Sequence, residues 1–269
     1  MGTMEIRHRR TDFAGRIVVP CTVVLSVLLL GAAVAKPTPP PLGLYGGRAI
    51  VTGTDSRQRH EGFARCLRDV LVKVSGDPAL QDDPRVGTLA PQPERVAEDF
   101  DYQDRMSDIP VHDEQGTRDR PYDLAVRFAP AKIDALLAQL GERPWLAARP
   151  PLLLRITVVQ NGPRLPLTAD DVGDERIREA AIAAGDKYGM RVMLPAKNGA
   201  SGAAVAGAVA LRGTLAWSEQ ALGWVGDWHL IQAGREHAWG IRGVSFDEAF
   251  RDAVRGAMQL LAGKGEPRG

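Results

Sequence analysis

Apolar residues recur at helical spacing in Phe63, Leu67, Val70, Leu71 and Val74. That stripe predicts a helix with one buried face. Asp55, with Gln58 three places on, supplies its start, and Gly76 its stop, because a left-handed cap position costs glycine little. Ahead of the helix, residues 45–51 read as a strand. Behind it, Pro78, Pro84, Pro91 and Pro93 cut the chain into short pieces. Val96 and Phe100 suggest a last half-buried helical turn before a strand at residues 102–106. A polar loop follows at 109–121, then an alternating strand at 122–128. Pro130 suits the first turn of a second helix, with Ile133, Leu136, Leu137 and Leu140 on its apolar side, Gly141 at its end and Pro144 beyond. Strand, helix, strand, strand, helix is the order of an α+β unit, with two helices crossing one face of a mainly antiparallel sheet. Its expected limits are 44–148.

A second unit, of α/β type, is expected over 149–263. Residues 152–159, LLLRITVV, are nearly continuous apolar, which predicts a central strand covered on both faces. Asp171 is a candidate cap for a helix whose inner side is Ile177, Ala181, Ala184 and Tyr188. Residues 190–194 read as a short strand and 196–207, rich in glycine and alanine, as a loop. Strand-like runs around 208–217, 224–231 and 237–242 predict an antiparallel meander. Ser245 and Glu248 form a capping box for a closing helix that buries Phe246, Phe250, Val254, Met258 and Leu261.

Ahead of both units, residues 17–35 form an apolar run behind Arg7, Arg9, Arg10 and Arg16. A cationic stretch stays on the cytoplasmic side while the apolar segment enters the export machinery. The run ends in Ala33-Val34-Ala35, a small-x-small pattern that signal peptidase accepts. Its length also suits a membrane anchor, so residues 1–35 are read as a signal peptide or an N-terminal anchor. Either places the rest of the chain outside the cytoplasm: periplasmic or exported, or held on the inner membrane. Residues 36–43 begin KPTPPPL, a stiff extended spacer.

Charge and cysteine content narrow the possibilities. Lys and Arg number 34 and Asp and Glu 33, a balance that gives no long-range attraction to nucleic acid or anionic lipid. With Cys21 inside the leader, Cys66 is alone in the body, so no intrachain disulfide is available and the fold must rest on its core. Cys66 itself reads as a small half-buried helix residue.

Several segments resemble a bacterial exported family, domain of unknown function 2066. They are VLVKVSGD at 70–77, the strand at 122–128 leading into Pro130, Pro144-Trp145 and Arg149-Pro150 ahead of an apolar strand, residues 189–195, and Arg212-Gly213 with 224–230. The resemblance covers most of 44–262. It implies an exported envelope protein and no activity, because that family has no agreed catalytic or ligand residues. It would also imply a further helix between Pro195 and Val209, where this chain has only a glycine- and alanine-rich stretch. By fold analogy the second unit resembles small α/β domains that envelope assembly proteins use for protein contacts.

Candidate chemistry is sparse. His112, Asp113, Glu114 and Asp119 gather an imidazole and three carboxylates on one loop, equipment for acid–base work or for a solvated hairpin connection. Trp217, Trp224, Trp228 and Trp239 fall in the C-terminal strands. Trp224 and Trp228 share strand parity and so one face; exposed, they could stack on a sugar or a partner, and buried, they are core. His229 and His237 flank a hairpin turn and would form a metal pair if they faced each other, although the short repeated spacing of a metal site is missing. Nucleophile elbows, phosphate loops and dinucleotide fingerprints do not occur. The expectation is therefore an envelope protein that binds another envelope protein, with no cofactor, no nucleic acid, and membrane contact only through an uncleaved leader. The alternatives are a hydrolase or metal enzyme built on the His112 loop or on His229 and His237, and a glycan-binding module built on the tryptophans.

Overall fold

A computed structural model describes residues 42–107, 120–160, 162–170, 175–197 and 207–267. Strand β1 (Gly46–Thr52) leads into helix α1 (Ser56–Ser75). Asp55 caps the helix by accepting from the Arg57 and Gln58 amides at 2.9 and 3.2 Å. The predicted stripe is buried, and so are Cys66, Val72, Lys73 and Ser75. The C-terminal half of α1 is thus enclosed all round. Gly76 closes it at φ 75°, its amide donating to Val72 O at 2.8 Å.

A short helix α2 (Pro84–Leu89) lies between two single turns, Pro78–Gln81 and Pro93–Arg95. Strand β2 (Ala97–Asp104) then starts earlier than expected. The turn anticipated at Val96 and Phe100 is corrected: Phe100 and Tyr102 alternate on one face of a strand, and Phe100 meets the Phe63 ring edge-on at 5.2 Å. Strand β3 (Pro121–Phe128) is central in the order β1-β3-β2, antiparallel to both neighbours. Its buried Leu124, Val126 and Phe128 face the helices. Gly62 lets α1 approach closely, since a Cβ there would come within 2.6 Å of Leu124 Cδ2. Helix α3 (Pro130–Leu140) buries the four expected residues and ends at Gly141.

The larger sheet has six strands. Strand β4 (Leu152–Val159) pairs in parallel with β7 (Val209–Ser218) on one side. On the other side it pairs with β5 (Arg164–Pro166), antiparallel, and with β6 (Val192–Met193), parallel. Strands β8 (Gly223–Gln232) and β9 (Arg235–Val244) complete the antiparallel meander. Helices α4 (Glu175–Tyr188) and α5 (Phe246–Leu261) pack together, with α5 against β7, β8 and β9. The Ser245 hydroxyl caps α5 by accepting from the Glu248 amide at 3.2 Å, while the Glu248 carboxylate pairs with Arg251 at 3.0 Å. The candidate cap Asp171 lies outside the described residues. The fold is mixed α+β: a three-stranded antiparallel sheet with helices, and a six-stranded mixed sheet with a closing C-terminal helix.

The two sheets and their helices form one compact unit over residues 40–269. Arg149 braces the joint. Its guanidinium lies 4.3 Å from the centre of the Trp145 ring. It donates to Lys73 O at 2.7 Å and Trp145 O at 3.3 Å through Nη2, and to Tyr188 O at 3.0 Å through Nη1. Lys73 and Tyr188 lie at the C-terminal ends of α1 and α4, so one cation serves both negative helix ends. Burial pulls its pKa down to about 10. Beside it Lys187 meets Asp69 at 2.6 Å, and Lys264 pairs with Glu142. Lys73, only 5% exposed, turns its ammonium to Gly46 O at 2.6 Å and Gly43 O at 3.3 Å. Among the described residues no helix is long and apolar enough to cross a membrane; the apolar run at 17–35 lies outside them.

Candidate functional site

Period two along β8 sends Trp224, Gly226, Trp228 and Leu230 to one face and Val225, Asp227, His229 and Ile231 to the other. The first face packs against α5. Trp228 is fully buried and Trp224 nearly so, and neither ring is presented to a ligand. Three glycines make room for the indoles: a Cβ at Gly213 would come within 2.5 Å of Trp228 Cε3, one at Gly226 would strike the same ring, and one at Gly256 would come within 2.5 Å of Trp239 Cε2. Trp228 Nε1 donates to Asp252 Oδ2 at 3.2 Å, and Arg255 donates to Asp252 Oδ1 at 2.6 Å. Burial pushes the Asp252 carboxyl up, against the pull of Arg255 and Trp228. Trp239 Nε1 donates to Asp252 O at 3.3 Å. Trp224 meets Phe246 and the partly exposed Trp217 edge-on. The glycan-stacking arrangement of Trp224 and Trp228 is therefore corrected: the parity argument is right, but the shared face is the inner one.

The histidine pair is also corrected. His229 pairs with Ala238 across the hairpin, and His237 with Leu230. This one-residue offset puts the two imidazoles on opposite faces. Each has its own glutamate, Glu236 at 3.4 Å for His229 and Glu266 at 2.9 Å for His237. Among the described residues no three His, Cys, Asp or Glu side chains converge as metal ligands. His112, Asp113, Glu114 and Asp119 lie outside the described residues, as does the stretch where the resemblance implied an extra helix. Cys66 is buried, and burial pushes its thiol up to about 12; such a thiol is inert.

The outer face of the larger sheet is different in kind. Along β4 the buried residues are Leu152, Leu154, Ile156 and Val158, while Leu153, Thr157 and Val159 are half-buried and Arg155 is exposed. The expectation of cover on both faces is corrected as far as the described residues go: among them, helices lie on one side. Register aligns Arg155 with Arg212 of β7, and Arg212 with His229 of β8. These three cation-forming side chains stand in one row across adjacent strands. Next to it runs a less polar row, Leu153, Ala210 and Ile231 with Glu236 at its end; Ile231 is 56% exposed. Arg212, His229, Glu236, Ile231 and Ala208–Ala210 line a shallow hollow of about 210 Å³. Small-molecule sites usually enclose about 300–1,000 Å³, so this is a surface feature rather than a substrate cavity. Strand parity identifies Arg155 as an outward residue, but aligning it with Arg212 and His229 needs the strand order, which local pattern does not carry.

An antiparallel three-stranded sheet with its helices joined to a six-stranded mixed sheet with a closing helix defines a class of architecture, not an activity. A family model described as a domain of unknown function (DUF8605) matches residues 42–146, the span from just before β1 to just after Trp145. The resemblance to domain of unknown function 2066 is corrected by this match, which is to a different family. The residues that carried it, at the end of α1, at Trp145 and at Arg149, close helix ends and brace a joint. Those structural tasks do not separate one family from another. Neither a curated protein nor a solved structure matches the chain.

Proposed function

We propose that this chain is an exported cell-envelope protein that acts by binding another envelope protein through the outer face of its larger sheet. One observation carries the binding reading: among the described residues the helices lie on one face of that sheet, and the other presents the Arg155, Arg212 and His229 row beside exposed Ile231. Arginine beside an exposed aliphatic side chain is a combination that interfaces favour. The leader at 1–35 supports export, with the body released outside the cytoplasm or tethered to the inner membrane. A photo-crosslinking residue at Ile231 is expected to join one defined envelope protein, while the same residue at Ile182, 50% exposed on α4, joins none. Protease added to spheroplasts is expected to digest the body. Protection of the body in intact spheroplasts, or equal crosslinking from both positions, overturns the proposal.

A further inference from the structure

Resting on that reading, we infer that the partner presents a pair of carboxylates, on an acidic segment flanked by an apolar side chain, to Arg155 and Arg212. The two arginines are directly paired in register on neighbouring parallel strands, so their backbones stand about 4.8 Å apart. Like charges placed opposite each other destabilise a sheet. Neither guanidinium has a hydrogen bond or ion pair with any described residue. His229 extends the row by one more strand. The fold thus sets two guanidiniums side by side on this face with no described carboxylate bonded to either, and a planar guanidinium fork is matched best by a carboxylate taken bidentately.

The surroundings select the kind of anion. Asp227 and Glu236 share the same outer face and flank the row. A continuous polyanion, whether a nucleic acid or an anionic membrane, would lie on those carboxylates as well as on the arginines. Two isolated carboxylates would not. The neighbouring row of Leu153, Ala210 and Ile231 gives an aliphatic side chain of the same segment a place to dock. Acidic residues at i and i+4 on a helix have about the required separation, as do residues on adjacent strands.

The test uses the full chain with three probes: a short alanine- and glutamine-based peptide carrying two glutamates four residues apart beside one leucine, vesicles of phosphatidylglycerol, and single-stranded DNA. The two-glutamate peptide is expected to bind, with affinity falling as salt rises and falling about tenfold in each of Arg155→Glu and Arg212→Glu. Arg242→Glu, on the same face but away from the row, is expected to change it less than twofold. Arg155→Lys and Arg212→Lys, which keep charge but not the fork, are expected to lose an intermediate amount. Near-ultraviolet circular dichroism of the buried tryptophans reports whether each variant is folded. Equal losses from Arg242→Glu, preference for vesicles or DNA, or unchanged binding in a folded double reversal would each overturn the inference. If Ile231 still crosslinks to its envelope protein in the double-reversal variant, the surface reading stands and the carboxylate inference fails. If Ile231 crosslinks to nothing even in the unaltered chain, both fail.

Discussion

The buried ammonium of Lys73 makes stability depend on pH in a direction that can be worked out beforehand. Its two acceptors are the carbonyls of Gly46 and Gly43, with no carboxylate in hydrogen-bond contact. Burial is the largest influence on it and pulls its pKa from 10.5 to about 8, against the opposing pull of Asp69. Between those two values the unfolded chain holds a proton that the folded chain has released, so stability rises as pH rises. With these values the lysine alone adds about 1 kcal/mol between pH 8 and pH 9. Cys66 works the other way. Its thiol is raised from 9.0 to about 12, so the unfolded chain ionises first, and about 0.3 kcal/mol is lost over the same interval. Urea unfolding followed by tryptophan fluorescence should therefore show a net gain of about 0.6–0.7 kcal/mol on going from pH 8 to pH 9. Lys73→Met keeps the aliphatic stem and removes the titrating group. Its profile should lack the lysine's share, so the gap between the two proteins should change by about 1 kcal/mol over that interval. Parallel profiles for the two proteins would refute the reasoning, because they would mean that Lys73 has the same proton affinity folded and unfolded.

Two further substitutions test the packing. Gly213→Ala sets a gain of about 0.4–1 kcal/mol from a stiffer unfolded chain against a Cβ driven into the Asp227 carbonyl and the Trp228 ring. Overpacking of this sort costs about 1–3 kcal/mol, and because one obstacle is backbone the clash should win, lowering the urea midpoint; an unchanged or raised midpoint counts against the indole cradle. Arg149→Lys keeps the charge but cannot reach the ends of α1 and α4 together, so it should cost about 1.5–3 kcal/mol, the worth of one charge-assisted hydrogen bond, and equal stability in equilibrium unfolding would show that the fork is not bracing the joint.

The helices were readable because a 3.6-residue period survives in any local window. Phe63 to Val74, Ile133 to Leu140 and Phe250 to Met258 are buried as spaced, and the glycine stops at Gly76 and Gly141 both take the left-handed conformation. Strand β2 is masked in the sequence because Val96 and Phe100 are also i and i+4, the spacing of one helical turn, and the alternating Phe100 and Tyr102 are too few to compete. Strand β5 is three residues long, too short for any period to register. Strand β4 misled through Leu153, Thr157 and Val159, which lie on the open side yet are mostly aliphatic; Arg155 was the one dissenting residue in that run. The outer row was illegible for a different reason. Arg155, Arg212 and His229 become neighbours only through the order β4-β7-β8 and its register, and no local window contains them.

The bracing by Arg149 has a consequence for how the chain can be divided. The family match stops at residue 146, three positions before the side chain that ties off the end of α1. A chain severed there would leave the Lys73 carbonyl without its donor, Asp69 without Lys187, and Glu142 without Lys264. It would also strip the cover from the enclosed last turns of α1. The first half therefore borrows its finish from the second.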